Sequence, residues 1–297
     1  MDPHGAERGE THAPVMVQEV VSFLGGRQLI VDMTLGAGGH AEALLNSGTG
    51  RLVGVDRDPV ALALASKRLR PFGDRFVAIQ STFSELSEEA LGGPADGVLY
   101  DLGVSSMQLD DASRGFSYRE DGPLDMRMGP DGPSALELVN EAPEEEISRV
   151  LWDFGEERHA RNIARSIVRA RQRAAITTTD ELTGVVASAV GRRKGGPHPA
   201  RRTFQALRIA VNRELEELTV SLPRAVQLLA PGGRVLVLSY HSLEDRIVKR
   251  FFRDEPRLRV LTKKVIKASA EEIESNPRAR SAVLRAAERL PDEEVAA

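Results

Sequence analysis

Apolar residues along this chain follow two alternating rhythms. Nearly continuous aliphatic runs at residues 29–31, 52–55, 75–79, 96–100 and 234–240 have the length and β-branched content of strands buried on both faces. Two further runs, 257–266 and 282–287, read as a closing hairpin. Between the early runs the apolar positions recur at helical spacing. Val17, Val20, Val21 and Leu24 form one stripe in the segment that opens at His12, and Ala61, Leu62, Ala65 and Leu69 form another after Asp58-Pro59, a cap followed by a first-turn proline. Phe204, Leu207, Val211, Leu215 and Leu218 predict one long helix from Thr203 to about Leu229, stopped by Pro231-Gly232-Gly233. Strand and helix in alternation predict an α/β, Rossmann-like fold around a parallel sheet.

The alternation breaks after Ser106. A loop rich in glycine, proline and acids follows, and then an all-helical stretch to about Ala189, so residues 107–199 read as a helical domain inserted between 1–106 and 200–297. Residues 1–11 are polar and without periodicity, and are expected to be disordered.

Charge changes the picture mainly through its distribution. The net charge of -4 is uninformative, but within the insertion residues 107–154 carry twelve acids against four arginines, and residues 155–202 carry eleven bases against four acids. At one hundred degrees per residue Arg158, Arg161, Arg165 and Arg169 share one helix face, opposite Ile163, Ile167, Ala170 and Ala174. A second cluster, residues 191–202, sets Arg193, Lys194, His198 and Arg202 in and after a glycine loop. Such patches are either a phosphate-backbone footprint for nucleic acid or a solvated face. The same alternatives hold for residues 276–280, NPRAR.

The chemistry concentrates at Leu29 to His40, LIVDMTLGAGGH. A strand stops at glycines that let a ligand lie against the main chain, and twenty residues beyond Gly36 the second strand delivers Asp56, placed to accept a ribose diol. GAGGHA also fits the dinucleotide pattern G-x-G-x-x-A, so a nicotinamide oxidoreductase stays open at this point. Asp32-x-Thr34-x-Gly36-x-Gly38 resembles the first motif of class I S-adenosylmethionine (SAM) methyltransferases, whose cationic cofactor would be attracted by acids that repel a pyrophosphate. Phe83 closes the third strand, either beside an adenine or in the core, and Asp101-Leu102 closes the fourth. With no cysteine there can be no disulfide, thiolate metal site or cysteine nucleophile. No run of eighteen apolar residues and no signal-peptide pattern are present, so a soluble, cytoplasmic protein is expected, with no membrane partner.

Taken together, HAPVMVQEVV, DMTLGAGGH, VDRDP, DLGVSSMQLDDASRGFSYREDGPLDMRM, GEERHARNIARSIV, HPARRTFQALRIAVNRELEEL, PGGRVLVLSYHSLEDRIVK and NPRARSAVLR resemble the MraW/RsmH family from His12 to Arg289. These are SAM-dependent methyltransferases of the exocyclic N4 of a cytidine in the decoding, P-site region of bacterial 16S rRNA. The resemblance implies a seven-stranded class I methyltransferase domain with a helical substrate-recognition insertion, and no required metal. Matched position by position, it implies cofactor contacts at Gly38, Gly39, His40, Asp56, Phe83, Asp101 and Gln108. The partner it implies is 16S rRNA within the small ribosomal subunit; the basic patches, and the polar cluster after the fifth strand, offer Arg165, Arg169, Arg193, Lys194, His198, Arg202 and His241 as the substrate contacts. The chain departs from the family where Met107 replaces a usual proline, Arg201 a threonine and Tyr240 a phenylalanine. Asp101 is the candidate catalytic residue, as acceptor for the amine protons; the same carboxylate could instead hold the methionine end of the cofactor. A non-catalytic RNA-binding protein on the same fold would keep the arginine clusters and transfer no methyl group.

Overall fold

In the computed structural model, which describes residues 14–191 and 198–295, five strands run parallel. They are β1 (Leu29–Asp32), β2 (Arg51–Asp56), β3 (Phe76–Gln80), β4 (Ala95–Asp101) and β5 (Leu229–Ser239). The short segments β6 (Leu258–Val260) and β7 (Ile266–Lys267) and the strand β8 (Val283–Arg289) complete a sheet ordered β3-β2-β1-β4-β5-β8-β6. β8 is antiparallel to β5, and both β6 and β7 lie antiparallel along its outer edge. The two short segments thus share one position, giving the seven expected, with the predicted run 257–266 interrupted between them. The expected disorder of residues 1–11, the first residues of the segment that opens at His12, and Arg193 and Lys194 lie outside the described residues, while the helix expected in that segment is α1 (Val17–Leu24), with Val20 and Leu24 buried.

Alternate residues of the central strands face opposite layers, which is why their sequences are apolar throughout. Ile30, Leu52, Leu99, Leu236 and Leu238 pack with α1 (Val17–Leu24), α2 (Gly39–Asn46) and α3 (Pro59–Leu69). Val31, Val53, Val98, Tyr100, Val235 and Val237 meet α4 (Glu88–Leu91), α11 (Glu214–Leu228) and α12 (Ser242–Asp254) on the other side.

A third apolar cluster is separate from the sheet. It unites Phe116, Leu124 and Met126 of the loop that follows α5 (Ser106–Asp110) with four helices: α6 (Ala135–Glu141), α7 (Glu144–Gly155), α8 (Ala160–Arg171) and α9 (Thr179–Val190). It also takes in Ala200, Phe204, Ala206 and Leu207, so α10 (Arg201–Asn212) packs with the helical layer rather than with the sheet. The single helix expected from Thr203 to Leu229 is therefore two, broken at Arg213 in a left-handed conformation (φ 50°). Asn212 fixes the break. Its side-chain amide donates to the Met126 carbonyl at 2.7 Å and its oxygen accepts the Met128 amide at 2.8 Å, tying the helix end to the loop. An apolar stripe continuous in sequence cannot reveal such a break, because Val211 and Leu218 each find a core, though not the same one.

The arginine face is shorter than helical spacing suggested. Arg161, Arg165 and Arg169 are exposed on α8, opposite buried Ile163 and Ile167, but Arg158 precedes the helix and Ala174 lies exposed beyond its end.

Candidate active site

The carboxyl ends of β1, β2 and β4 bring three acids together, because parallel neighbours end at one edge of the sheet. Asp32 is 1% exposed, and its Oδ1 accepts the Thr34 amide at 3.1 Å. Asp56 accepts the amides of Gly36 at 2.8 Å and Asp58 at 2.9 Å, one on each oxygen, so the glycine loop after β1 is bound to the end of β2. The Asp101 amide donates to the Thr34 hydroxyl at 2.6 Å, which joins β4 to the same loop.

Gly38 caps α2 in a left-handed conformation (φ 78°), and a Cβ there would approach Leu69 and Ala65 of α3 to 3.1 and 3.2 Å. A side chain there would be strained in its backbone and would crowd α3. Gly39 and His40 begin the helix. Buried His40 sets its Nε2 3.4 Å from Oδ2 of Asp101, and neither ring nitrogen makes a hydrogen bond. Burial on its own would lower the His40 pKa, but Asp101, Asp32 and Glu272 outweigh it and the net direction is up. Burial pushes Asp32 up to about 6, and raises Asp56 as well.

This edge is acidic, and a pyrophosphate would meet Asp32, Asp56 and Asp101. Three carboxylates suit instead a ligand carrying positive charge and hydroxyl donors, and the buried Nδ1 of His40 makes no hydrogen bond of its own. The nicotinamide reading loses its ground here, and the residues present fit SAM.

The other expected cofactor contacts flank this centre. Phe83 meets the edge of Tyr100 with ring centroids 5.7 Å apart. Gln108 is buried and its amide turns to Asp58, donating to Oδ2 at 3.2 Å. Arg114 reaches the same oxygen at 2.9 Å. Asp58, read from sequence only as a helix cap, is thus also the anchor between α3 and the start of the helical insertion; its neighbourhood with Asp56 was the available signal.

The expected substrate residues spread more widely. His198 stacks on Tyr118 at 4.8 Å, and Arg202 donates to the Glu156 carbonyl at the end of α7 (2.8 Å). Arg165 is exposed, 3.7 Å from Glu144, and Arg169 is exposed on the same face. His241 caps α12, with Nδ1 accepting the Glu244 amide at 3.4 Å and Nε2 3.1 Å from its carboxylate. Glu214, His241 and Glu244 bring ligand atoms within 4.8 Å of one another, but Arg208 holds both Glu214 oxygens at 2.8 and 2.9 Å, supplying positive charge where an ion would.

Two contacts were not foreseen. Glu156, left-handed at the end of α7, accepts from Ser242 (2.8 Å) and Arg246 (3.1 Å), clasping the helical layer to the segment that follows β5. The Tyr240 hydroxyl donates to Oδ1 of Asp101 at 2.7 Å.

Comparison with known proteins agrees with this edge of the sheet. The sequence profile described as "MraW methylase family" matches residues 9–290. The chain is 47% identical to the ribosomal RNA small subunit methyltransferase H of Heliobacterium modesticaldum, over 94% of this chain and 98% of that protein. It is 48% identical to the protein of the same name from Carboxydothermus hydrogenoformans, with the same coverage. Among solved structures, an rRNA methylase from Streptococcus thermophilus aligns over 93% of this chain and 94% of its own at 12% identity and TM-score 0.43. With an acid-lined glycine loop at the sheet edge and relatives matched along almost their whole length, the chain belongs to the MraW methylase family, enzymes that take their methyl group from S-adenosylmethionine.

Proposed function

We propose that this enzyme methylates the exocyclic N4 of a cytidine in the P-site region of 16S rRNA, acting on the small ribosomal subunit in the cytoplasm. The observation that carries the reading is Asp101, held at the end of β4 by Thr34 and Tyr240, in a chain whose full-length relatives are named for ribosomal RNA of the small subunit. Among the described residues no helix is long and apolar enough to cross a membrane. The inserted unit, residues 107–199, on which α10 packs, is the proposed substrate-recognition unit, with the exposed Arg165 and Arg169, and with Arg193 and Lys194, as its phosphate contacts. Reaching N4 requires the base to be splayed out of any pairing.

SAM supplies an electrophilic methyl group on a sulfonium. The exocyclic amine is a poor nucleophile, because its lone pair is delocalised into the ring, so the protein must align it and accept its protons. In this reading Asp101 and the Leu102 carbonyl orient the two N–H groups. As the nitrogen forms its new bond to the methyl carbon and the carbon–sulfur bond breaks with its electron pair going to sulfur, the proton the nitrogen sheds would pass to Asp101. Asp56 would accept hydrogen bonds from the ribose hydroxyls with the lone pairs that the Gly36 and Asp58 amides leave free.

Asp56→Ala should cost roughly 1.5 to 3 kcal/mol of SAM binding in a protein that still folds, the loss of a charge-assisted pair of acceptors. Titration calorimetry on the folded variant checks this, and an unchanged affinity excludes the role.

The methylated atom is tested separately. Routes to C5 of cytosine begin with a cysteine thiolate adding to C6, and the chain has no cysteine. Substrate RNA labelled with tritium at cytosine C5 should keep its label through methyl transfer. Stoichiometric release of tritium to water would overturn the N4 assignment.

A further inference from the structure

We propose that Tyr240 is a positioning residue for methyl transfer, acting through Asp101: its hydroxyl occupies Oδ1 and so presents Oδ2 to the substrate amine. The inference rests on the reading of Asp101 given above.

Three features hold that hydroxyl in place. Tyr240 follows β5, whose Leu238 pairs with Asp101 in the sheet and accepts the Leu102 amide at 3.1 Å, so the phenol and the carboxylate descend from adjacent, registered strands. The ring lies against Gly103, where a Cβ would stand 3.3 Å from ring atom Cδ2; the left-handed Gly103 (φ 94°) brings its backbone onto the aromatic face. The Tyr240 amide donates to Oε2 of Glu244 at 2.8 Å, and Glu244 is itself buried at the start of α12. With backbone and ring both fixed, the 2.7 Å hydrogen bond to Oδ1 forms at little cost in side-chain freedom.

The surrounding charges keep the phenol a donor. Burial comes first, and the negative groups facing Tyr240, namely Asp101 on β4, Glu244 on α12 and Glu272 on α13 (Ala270–Ser275), add to it, so its pKa lies well above the ordinary value. On the other side of Asp101 stand His40 of α2 and, behind it, Asp32 of β1. A neutral hydroxyl therefore takes Oδ1, the imidazole lies on the Oδ2 side, and the carboxylate plane is set by both. An amine approaching Oδ2 meets an acceptor already oriented, so losing the hydroxyl lowers kcat.

The test is a double-mutant cycle with Tyr240→Phe and Asp101→Asn, measured on methyl transfer to ribosomal subunits. Phenylalanine keeps the ring against Gly103, so Tyr240→Phe should fold normally and bind S-adenosylhomocysteine with unchanged affinity by calorimetry. Its kcat should fall roughly 10- to 150-fold, the range of a hydrogen bond to a charged group, with KM for RNA unmoved. In the Asp101→Asn background the same change should have almost no further effect, since the group it acts through is gone. A Tyr240→Phe enzyme with full kcat, or one whose loss multiplies fully with that of Asp101→Asn, overturns the proposal while leaving Asp101 in its role. An Asp101→Asn enzyme of full activity overturns the reading of Asp101 and this inference with it.

Discussion

Asp101→Asn should lower kcat for methyl transfer by about 10²- to 10⁴-fold, the usual contribution of a positioned proton acceptor. Asparagine keeps the shape and leaves Oδ1 to accept from Tyr240, but it replaces Oδ2 with an N–H group that faces the amine donor to donor. Folding should be preserved, because the backbone amide of residue 101 still donates to Thr34 and the strand register does not involve the side chain. The decisive comparison is between chemistry and binding. If Asp101 acts on the amine, kcat and kcat/KM fall together and SAM affinity shifts by no more than a few-fold. A loss of SAM affinity large enough to account for the whole effect would instead assign Asp101 to the methionine end of the cofactor.

The sheet and its ligand edge were legible in the sequence because both depend on local signals. Continuous aliphatic runs mark strands buried on both faces, and glycines directly after one of them, with Asp32 and Asp56 at strand ends, mark the crevice where a ligand lies. Long-range partnerships were not legible. Nothing near Tyr240 in sequence says that its hydroxyl reaches Asp101, 139 residues away, and nothing near Asn212 says that it will hold residues 126 and 128 and break a helix. The α10–α11 division is instructive, since its apolar stripe is unbroken in sequence and serves two cores. Gln108 shows the opposite limit: its position near the site followed from motif matching, but its amide is committed to Asp58, a contact that only the fold brings about.

Asp32 is where the site should work against the fold. Buried at 1% exposure, with Asp101 and Asp56 nearby, it titrates at about 6 in the folded chain against an ordinary 3.8; burial is the main cause, and His40 and the Thr34 amide offset only part of it. Between those two values the folded protein binds a proton that the unfolded chain has released. Stability therefore falls as pH rises through this window, and above pH 6 the full penalty persists. Asp32→Asn removes the charge and keeps an oxygen to accept from Thr34. The variant should be more stable than the parent at pH 8 by up to ~3 kcal/mol, the difference narrowing as pH drops through 6 toward 3.8. Urea unfolding at pH 8 and pH 5 measures this directly, and a variant less stable than the parent at pH 8 would refute it. The same substitution should weaken SAM binding, because a carboxylate that is costly to bury is attractive to a sulfonium and an ammonium. Stability gained and affinity lost in one variant would identify Asp32 as a charge retained for the ligand at the expense of the fold.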